Sequence, residues 1–120
     1  MKWEFDDNLQ IHTQLVDGII KRIIQDIYPM GERLPSVREL ATEAKVNPNT
    51  MQKALQELED KKIIETRRTT GKFVTDDTKL LANLMTDLSD QVVSNFIKAM
   101  KNLAIDDKKI IKLIESELKK

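Results

Sequence analysis

The stretch Ser36-Val37-Arg38-Glu39-Leu40-Ala41-Thr42-Glu43-Ala44-Lys45-Val46-Asn47-Pro48-Asn49-Thr50-Met51-Gln52-Lys53-Ala54-Leu55-Gln56-Glu57-Leu58 contains two helix starts in close succession. Ser36 and Glu39 form a capping box: the serine hydroxyl can accept from the Glu39 amide, and the glutamate can reach back to the Ser36 amide. Asn47 suits the N-cap of a second helix. Pro48 fits its first turn, where a missing N–H costs nothing. Val37, Leu40 and Ala41 give the first helix an apolar face, and it ends near Ala44-Lys45. Val46 is an apolar turn residue. Met51, Ala54, Leu55 and Leu58 turn the second helix inward. Two short helices joined by a tight turn are the sequence form of a helix-turn-helix.

The flanks extend this unit. Downstream, Ile63 to Arg68 reads as a strand, Thr69-Thr70-Gly71 as a tip and Lys72 to Thr75 as a return strand. A hairpin directly after the second helix is where a wing belongs. Upstream, Leu9, Leu15, Ile19, Ile20, Ile23, Ile24 and Ile27 recur at helical spacing, which predicts a helix over 9–28 stopped by Pro29 and Gly31. From about residue 77 the helical period returns through Leu80, Leu81, Leu84, Leu88, Val92, Phe96, Ile97, Met100 and Leu103. Asp106 caps a final helix carrying Ile110, Ile111, Ile114 and Leu118. The expected fold is mainly α with a small β-hairpin wing. A winged helix-turn-helix domain occupies residues 1–75, and a C-terminal two-helix dimerisation module occupies residues 76–120.

Composition narrows the function classes. With 120 residues, the chain suits one domain or a small domain with an appendage. It has no cysteine, which removes disulfides, thiolate metal sites and cysteine nucleophiles. No apolar run approaches the roughly 18 residues of a membrane span. The start, Met1-Lys2-Trp3-Glu4-Phe5-Asp6-Asp7, is too acidic and too broken for a signal peptide. The expectation is a cytoplasmic protein without a membrane partner. Net charge is zero, where a nucleic-acid binder is usually basic. The charge is uneven, however. Residues 31–75 alone have a basic excess, nine cations against seven acids, so a DNA footprint depends on where the charges sit. No Gly-rich phosphate loop, nucleophile–base pair or paired acid–base constellation occurs, so an enzyme is not expected. His12 is the only histidine. It is expected to be a packing or surface residue, and neither a metal nor a cofactor is implied.

The run Gly31-Glu32-Arg33-Leu34-Pro35-Ser36-Val37-Arg38-Glu39-Leu40-Ala41 resembles the signature of the GntR family of bacterial regulators. The likeness continues from Val46 through Leu58 and resumes in the wing at Arg67 to Val74. Ile11-His12-Thr13-Gln14-Leu15 resembles the family's first-helix motif. The short two-helix tail resembles the YtrA-type subfamily, which implies a dimerisation role for it. Three departures stand out. Thr69 replaces the first of two glycines usual at the wing tip, Lys62 stands where a glycine often precedes the first wing strand, and Pro48 replaces an arginine found in some relatives.

A recognition helix presents its N-terminal residues to base edges in the major groove. Here these are Asn47, Asn49, Thr50 and Gln52, with Lys53 one step on. Asn and Gln can pair bidentately with adenine, and Thr can meet a thymine methyl. The resemblance implies that Arg38 contacts DNA, and Ser36 shares its helix start. Gly71 permits a tight turn around which Arg67, Arg68 and Lys72 would approach a groove or the backbone. These residues form the expected double-stranded DNA contact set.

The tail carries an apolar stripe too wide for one partner surface. Two helices alone bury too little to be stable. Pairing of two tails is therefore expected through Leu81, Leu84, Leu88, Val92, Phe96, Ile97, Met100, Ile111 and Ile114. A homodimer would read an inverted repeat. The leading expectation is a sequence-specific repressor, and the subfamily resemblance implies a transporter operon as its target. Two alternatives stay open: a winged helix used for protein interaction, and a regulator that senses a small ligand of unknown identity at the dimer interface.

Overall fold

The structure, a computed structural model, describes residues 2–68 and 70–120. Thr69, expected at the wing tip, and Met1 lie outside the described residues. The elements run α1 (Ile11–Ile24), α2 (Val37–Ala44), α3 (Pro48–Asp60), β1 (Ile64–Arg67), β2 (Gly71–Val74), α4 (Thr78–Asn102) and α5 (Asp107–Leu118). The fold is mainly helical, with one antiparallel hairpin in the register Ile64–Val74, Glu65–Phe73, Thr66–Lys72 and Arg67–Gly71. Among the described residues no helix is long and apolar enough to cross a membrane. The chain forms two compact units, one ending at Leu81 and one spanning Ala82–Lys120.

The core of the first unit follows from the helical period. Leu15 and Ile19 of α1, Leu40 of α2, and Met51, Leu55 and Leu58 of α3 are all shielded from solvent, and Ile64 and Val74 join them from the hairpin. Each such side chain contributes about 1.5–3 kcal/mol relative to exposure. Helix α3 lies at the centre, packed by both α1 and α2 and continued by β1.

The first helix is shorter than its apolar spacing suggests. Leu9 is 61% exposed ahead of α1, and Ile27 is 43% exposed beyond it. The helix stops at Asp26, well before Pro29, because Asp26 adopts φ 65°. The Asp26 amide then donates to the Ile23 carbonyl and the Ile27 amide to the Arg22 carbonyl. This is a Schellman turn. The same pair of bonds ends α2 at Lys45, α3 at Lys62 and α4 at Ala104, with φ 58°, 64° and 59°. None of these four residues is a glycine. Lys62 thus takes the left-handed conformation for which glycine is better suited. The strands also shift slightly from expectation: β1 begins at Ile64, and β2 starts one residue earlier, at Gly71.

The connector before α2 joins the hairpin. The Gly31 amide donates to Val74, the Val74 amide to Glu32 and the Leu34 amide to Lys72, at 3.1, 2.9 and 2.8 Å. Arg33 and Phe73 form the accompanying antiparallel bridge. Beta2 is therefore flanked on both sides. An extended N-terminal arm packs on α1. The Trp3 ring lies against Gly18, where an added Cβ would fall 2.4 Å from the ring. The buried Arg22 guanidinium sits 3.6 Å from the centre of that ring, and Gln14 ties the Asp6 backbone in both directions.

In the second unit Ile110 is the one buried apolar residue. Asp106 caps α5 by accepting from the Lys109 amide at 2.8 Å. Val92, Val93, Phe96, Ile111, Ile114 and Leu118 are exposed.

Candidate nucleic-acid interface

The two helix starts are built as the sequence implies. The Glu39 amide donates to Ser36 Oγ and the Ser36 amide to Glu39 Oε1, each at 3.1 Å. The bond from the Ser36 amide is the main reason the Glu39 carboxyl lies below the usual carboxylate range. It is followed by the Ser36 hydroxyl contact, and more weakly by Arg33. At α3, Asn47 Oδ1 accepts from the Asn49 amide at 2.7 Å and Pro48 occupies the first turn. Asn47 therefore spends its carbonyl oxygen on capping, and its amide nitrogen makes no bond among the described residues.

Helix α3 divides by face. Met51, Ala54, Leu55 and Leu58 are buried. Asn49, Gln52, Lys53 and Gln56 share the opposite face through three- and four-residue steps, and all are exposed. Gln56 donates to Asp60 at 3.0 Å. The side chains of Asn49, Gln52 and Lys53 make no hydrogen bond or ion pair among the described residues. Thr50 is half-buried. Arg38 is exposed and likewise has no side-chain partner among them. A set of exposed donors and acceptors around two helix starts is chemically equipped to meet base edges and phosphates.

The wing differs in kind. Arg67 donates to Glu65 Oε1 through two nitrogens at 2.8 and 3.1 Å, and its guanidinium stacks 4.1 Å from the Phe73 ring centre. Lys72 donates to Thr66 Oγ1 at 3.0 Å and approaches Glu59 at 3.5 Å, with its side chain only 16% exposed. Glu59 is held below the ordinary carboxylate range, first by its bond with Thr66 and then by Lys72. Arg67 and Lys72 thus help hold the hairpin to itself and to α3. Arg68 is exposed and also engaged. Gly71, at φ 105°, makes the tight return.

One residue of this region escaped sequence reasoning. Arg33 lies with its Nε 2.9 Å from where a Gly71 Cβ would stand. It borders a cleft of about 340 Å³ between the start of α2 and the wing. It belongs to the quoted motif, yet nothing local in the sequence ties it to Gly71. His12 also acquires a role: its Nε2 lies 2.8 Å from Glu57 Oε1 and joins α1 to α3.

Comparison with known proteins agrees with this geometry. Residues 11–74 match the family described as bacterial regulatory proteins, gntR family. A GntR family transcriptional regulator from Listeria monocytogenes superposes with a TM-score of 0.87 at 43% identity, covering 93% of this chain and 98% of that one. The uncharacterised HTH-type transcriptional regulator YhcF of Bacillus subtilis is 34% identical over 94% of this chain and 93% of its own length. The HTH-type transcriptional repressor YtrA of the same organism is 38% identical over 74% and 70%. The match runs from α1 to the end of β2 and takes in both helix starts and the hairpin. The chain belongs to the GntR family of bacterial regulatory proteins and is a transcriptional regulator with a DNA-binding helix-turn-helix.

Proposed function

We propose that the protein is a cytoplasmic repressor that binds an inverted-repeat operator as a homodimer. Residues 1–75 serve as the reading domain and 76–120 as the dimerisation module. The observation that carries the reading is the exposed set of Arg38, Asn49, Gln52 and Lys53, without side-chain partners among the described residues, around two capped helix starts. Ser36, Asn47 and Thr50 complete the α2–α3 contact, and Arg67, Arg68, Gly71 and Lys72 form the wing contact. Dimerisation is supported by apolar surface that a single copy leaves in water: Val92, Phe96, Ile111 and Ile114 are exposed, at 68, 38, 56 and 38%. Each such side chain would contribute about 1.5–3 kcal/mol if fully covered. Leu81, Leu84, Leu88, Ile97 and Met100 are half-buried and supply the rest of the stripe. The name of the YtrA relative supports repression over activation, and the resemblance to its subfamily extends the proposal to a transporter operon.

Selection of bound duplexes from a random pool tests this reading. The expected winners are palindromes with half-sites about one helical turn apart. Affinity should fall steeply with salt. Winners without symmetry, together with monomers at micromolar concentration in a sizing experiment, would refute the dimeric operator.

A further inference from the structure

We propose that Arg33 is a DNA-backbone contact, holding a phosphodiester in the cleft between the start of α2 and the wing. The inference rests on the DNA-binding reading and adds to it a residue outside the expected contact set.

Three observations carry it. The first is charge balance. The cleft is bordered by Ser36 on one side and by Arg67, Arg68, Gly71 and Lys72 on the other. Arg67 is answered by Glu65, and Lys72 by Glu59. The Arg33 guanidinium has no hydrogen bond or ion pair among the described residues. Its influence reaches Glu39 only as the last and weakest of that residue's causes, and Glu39 already serves the capping box. Arg68 also borders the cleft and is engaged, which leaves Arg33 as the cation lining it that has no hydrogen bond or ion pair among the described residues.

The second observation is placement. The Arg33 backbone is fixed by its bridge to Phe73, with the Leu34-to-Lys72 bond beside it. Its side chain lies against the bare Cα of Gly71. A guanidinium held this way loses little further freedom on binding, and its planar fork suits two phosphate oxygens. The third is the cleft floor. Leu34 is buried, and Pro35 and Val37 lie half-buried beside it, so these side chains offer no hydrogen-bond acceptor of their own. Phosphodiester oxygens, strong acceptors on a uniformly anionic backbone, fit this chemistry.

The test measures affinity for the selected duplex and for a random duplex over a series of potassium chloride concentrations. It uses the full chain, Arg33→Gln, Arg33→Lys and Arg38→Ala. Losing one phosphate contact lowers the slope of log affinity against log salt by about 0.9. Arg33→Gln is expected to lose that increment on both duplexes, with about tenfold weaker binding at low salt. Arg33→Lys should keep the slope. A wild-type slope in Arg33→Gln overturns the proposal, even if affinity falls, because Arg33 would then only hold the wing. If Arg38→Ala weakens binding while Arg33→Gln leaves the slope intact, the Arg33 assignment alone fails. If the unaltered chain binds neither duplex in a salt-dependent way, the DNA-binding reading itself fails, and this inference with it.

Discussion

Gly18→Ala should destabilise this protein, although alanine is the better helix former. Gly18 lies in the middle of α1. In an unobstructed helix the exchange gains about 0.8–1 kcal/mol. Here the new Cβ would meet three ring atoms of Trp3 at 2.4, 3.1 and 3.2 Å. Normal contact needs about 3.5 Å, so the ring must withdraw by about 1 Å. That withdrawal separates Trp3 from the Arg22 guanidinium, now 3.6 Å from its centre. Arg22 is only 3% exposed, so the cation–π contact is desolvated and is worth about 2 kcal/mol. The net expectation is a loss of about 1 kcal/mol, or about 3–5 °C in Tm for a chain of this length. Removing the ring reverses the sign: in a Trp3→Ala background, Gly18→Ala should stabilise by about 1 kcal/mol. The coupling between the two sites is then about 2 kcal/mol in a double-mutant cycle. Urea unfolding at one fixed protein concentration measures it. Trp3 is the only tryptophan, so its emission independently reports release of the arm. Equal stabilisation by Gly18→Ala in both backgrounds, with unchanged emission, would refute the reasoning.

Three further outcomes are expected. Lys62 holds φ 64° at the end of α3, so Lys62→Gly should stabilise by about 0.5–1 kcal/mol and Lys62→Val should destabilise by at least as much; thermal melts give both. Glu57 accepts from His12 and Lys61, and these bonds hold its carboxyl below its ordinary 4.5. A depressed folded-state value contributes stability that is present above the unfolded value and lost as pH falls through the folded one. Glu57→Gln should therefore cost about 0.5 kcal/mol at pH 7, since both partners of the His12 pair are about one-third exposed; the deficit should shrink as pH falls below 4.5 and through the lowered folded-state value in a pH series of denaturation curves. Phe96→Asp together with Ile114→Asp should give a folded monomer by light scattering, with operator affinity reduced at least a hundredfold while non-specific binding persists.

The sequence made some elements plain and hid others for physical reasons. Both helix starts were legible because a cap is a local device: Ser36 needs only Glu39, and Asn47 needs only Asn49. The end of α2 near Ala44-Lys45 was legible too, but the end of α1 was not. Asp26 turns the chain without the glycine that normally marks such a turn, while the apolar spacing runs on past it to Ile27. In the wing, Arg67 and Lys72 also pair within the protein. Strand alternation puts Glu65 beside Arg67, and hairpin register puts Thr66 opposite Lys72. Those rules could have signalled the internal pairing of both cations. Arg33 and the Trp3 arm needed tertiary knowledge, since each meets a glycine far away in the chain.

The pairing of the connector with β2 bears on how the protein folds. The bonds from Gly31 and Leu34 to Val74 and Lys72 close a loop that contains both helices of the helix-turn-helix and the first wing strand. Closing such a loop costs chain entropy before any ladder bond can repay it. Alpha2 and α3, built on local contacts, are therefore expected to form before the connector pairs with β2. Once paired, β2 cannot peel away without freeing the segment that leads into Ser36. The amide protons of Leu34 and Val74 accordingly report separation of the connector from β2, and parting of β1 from β2 alone would not release them.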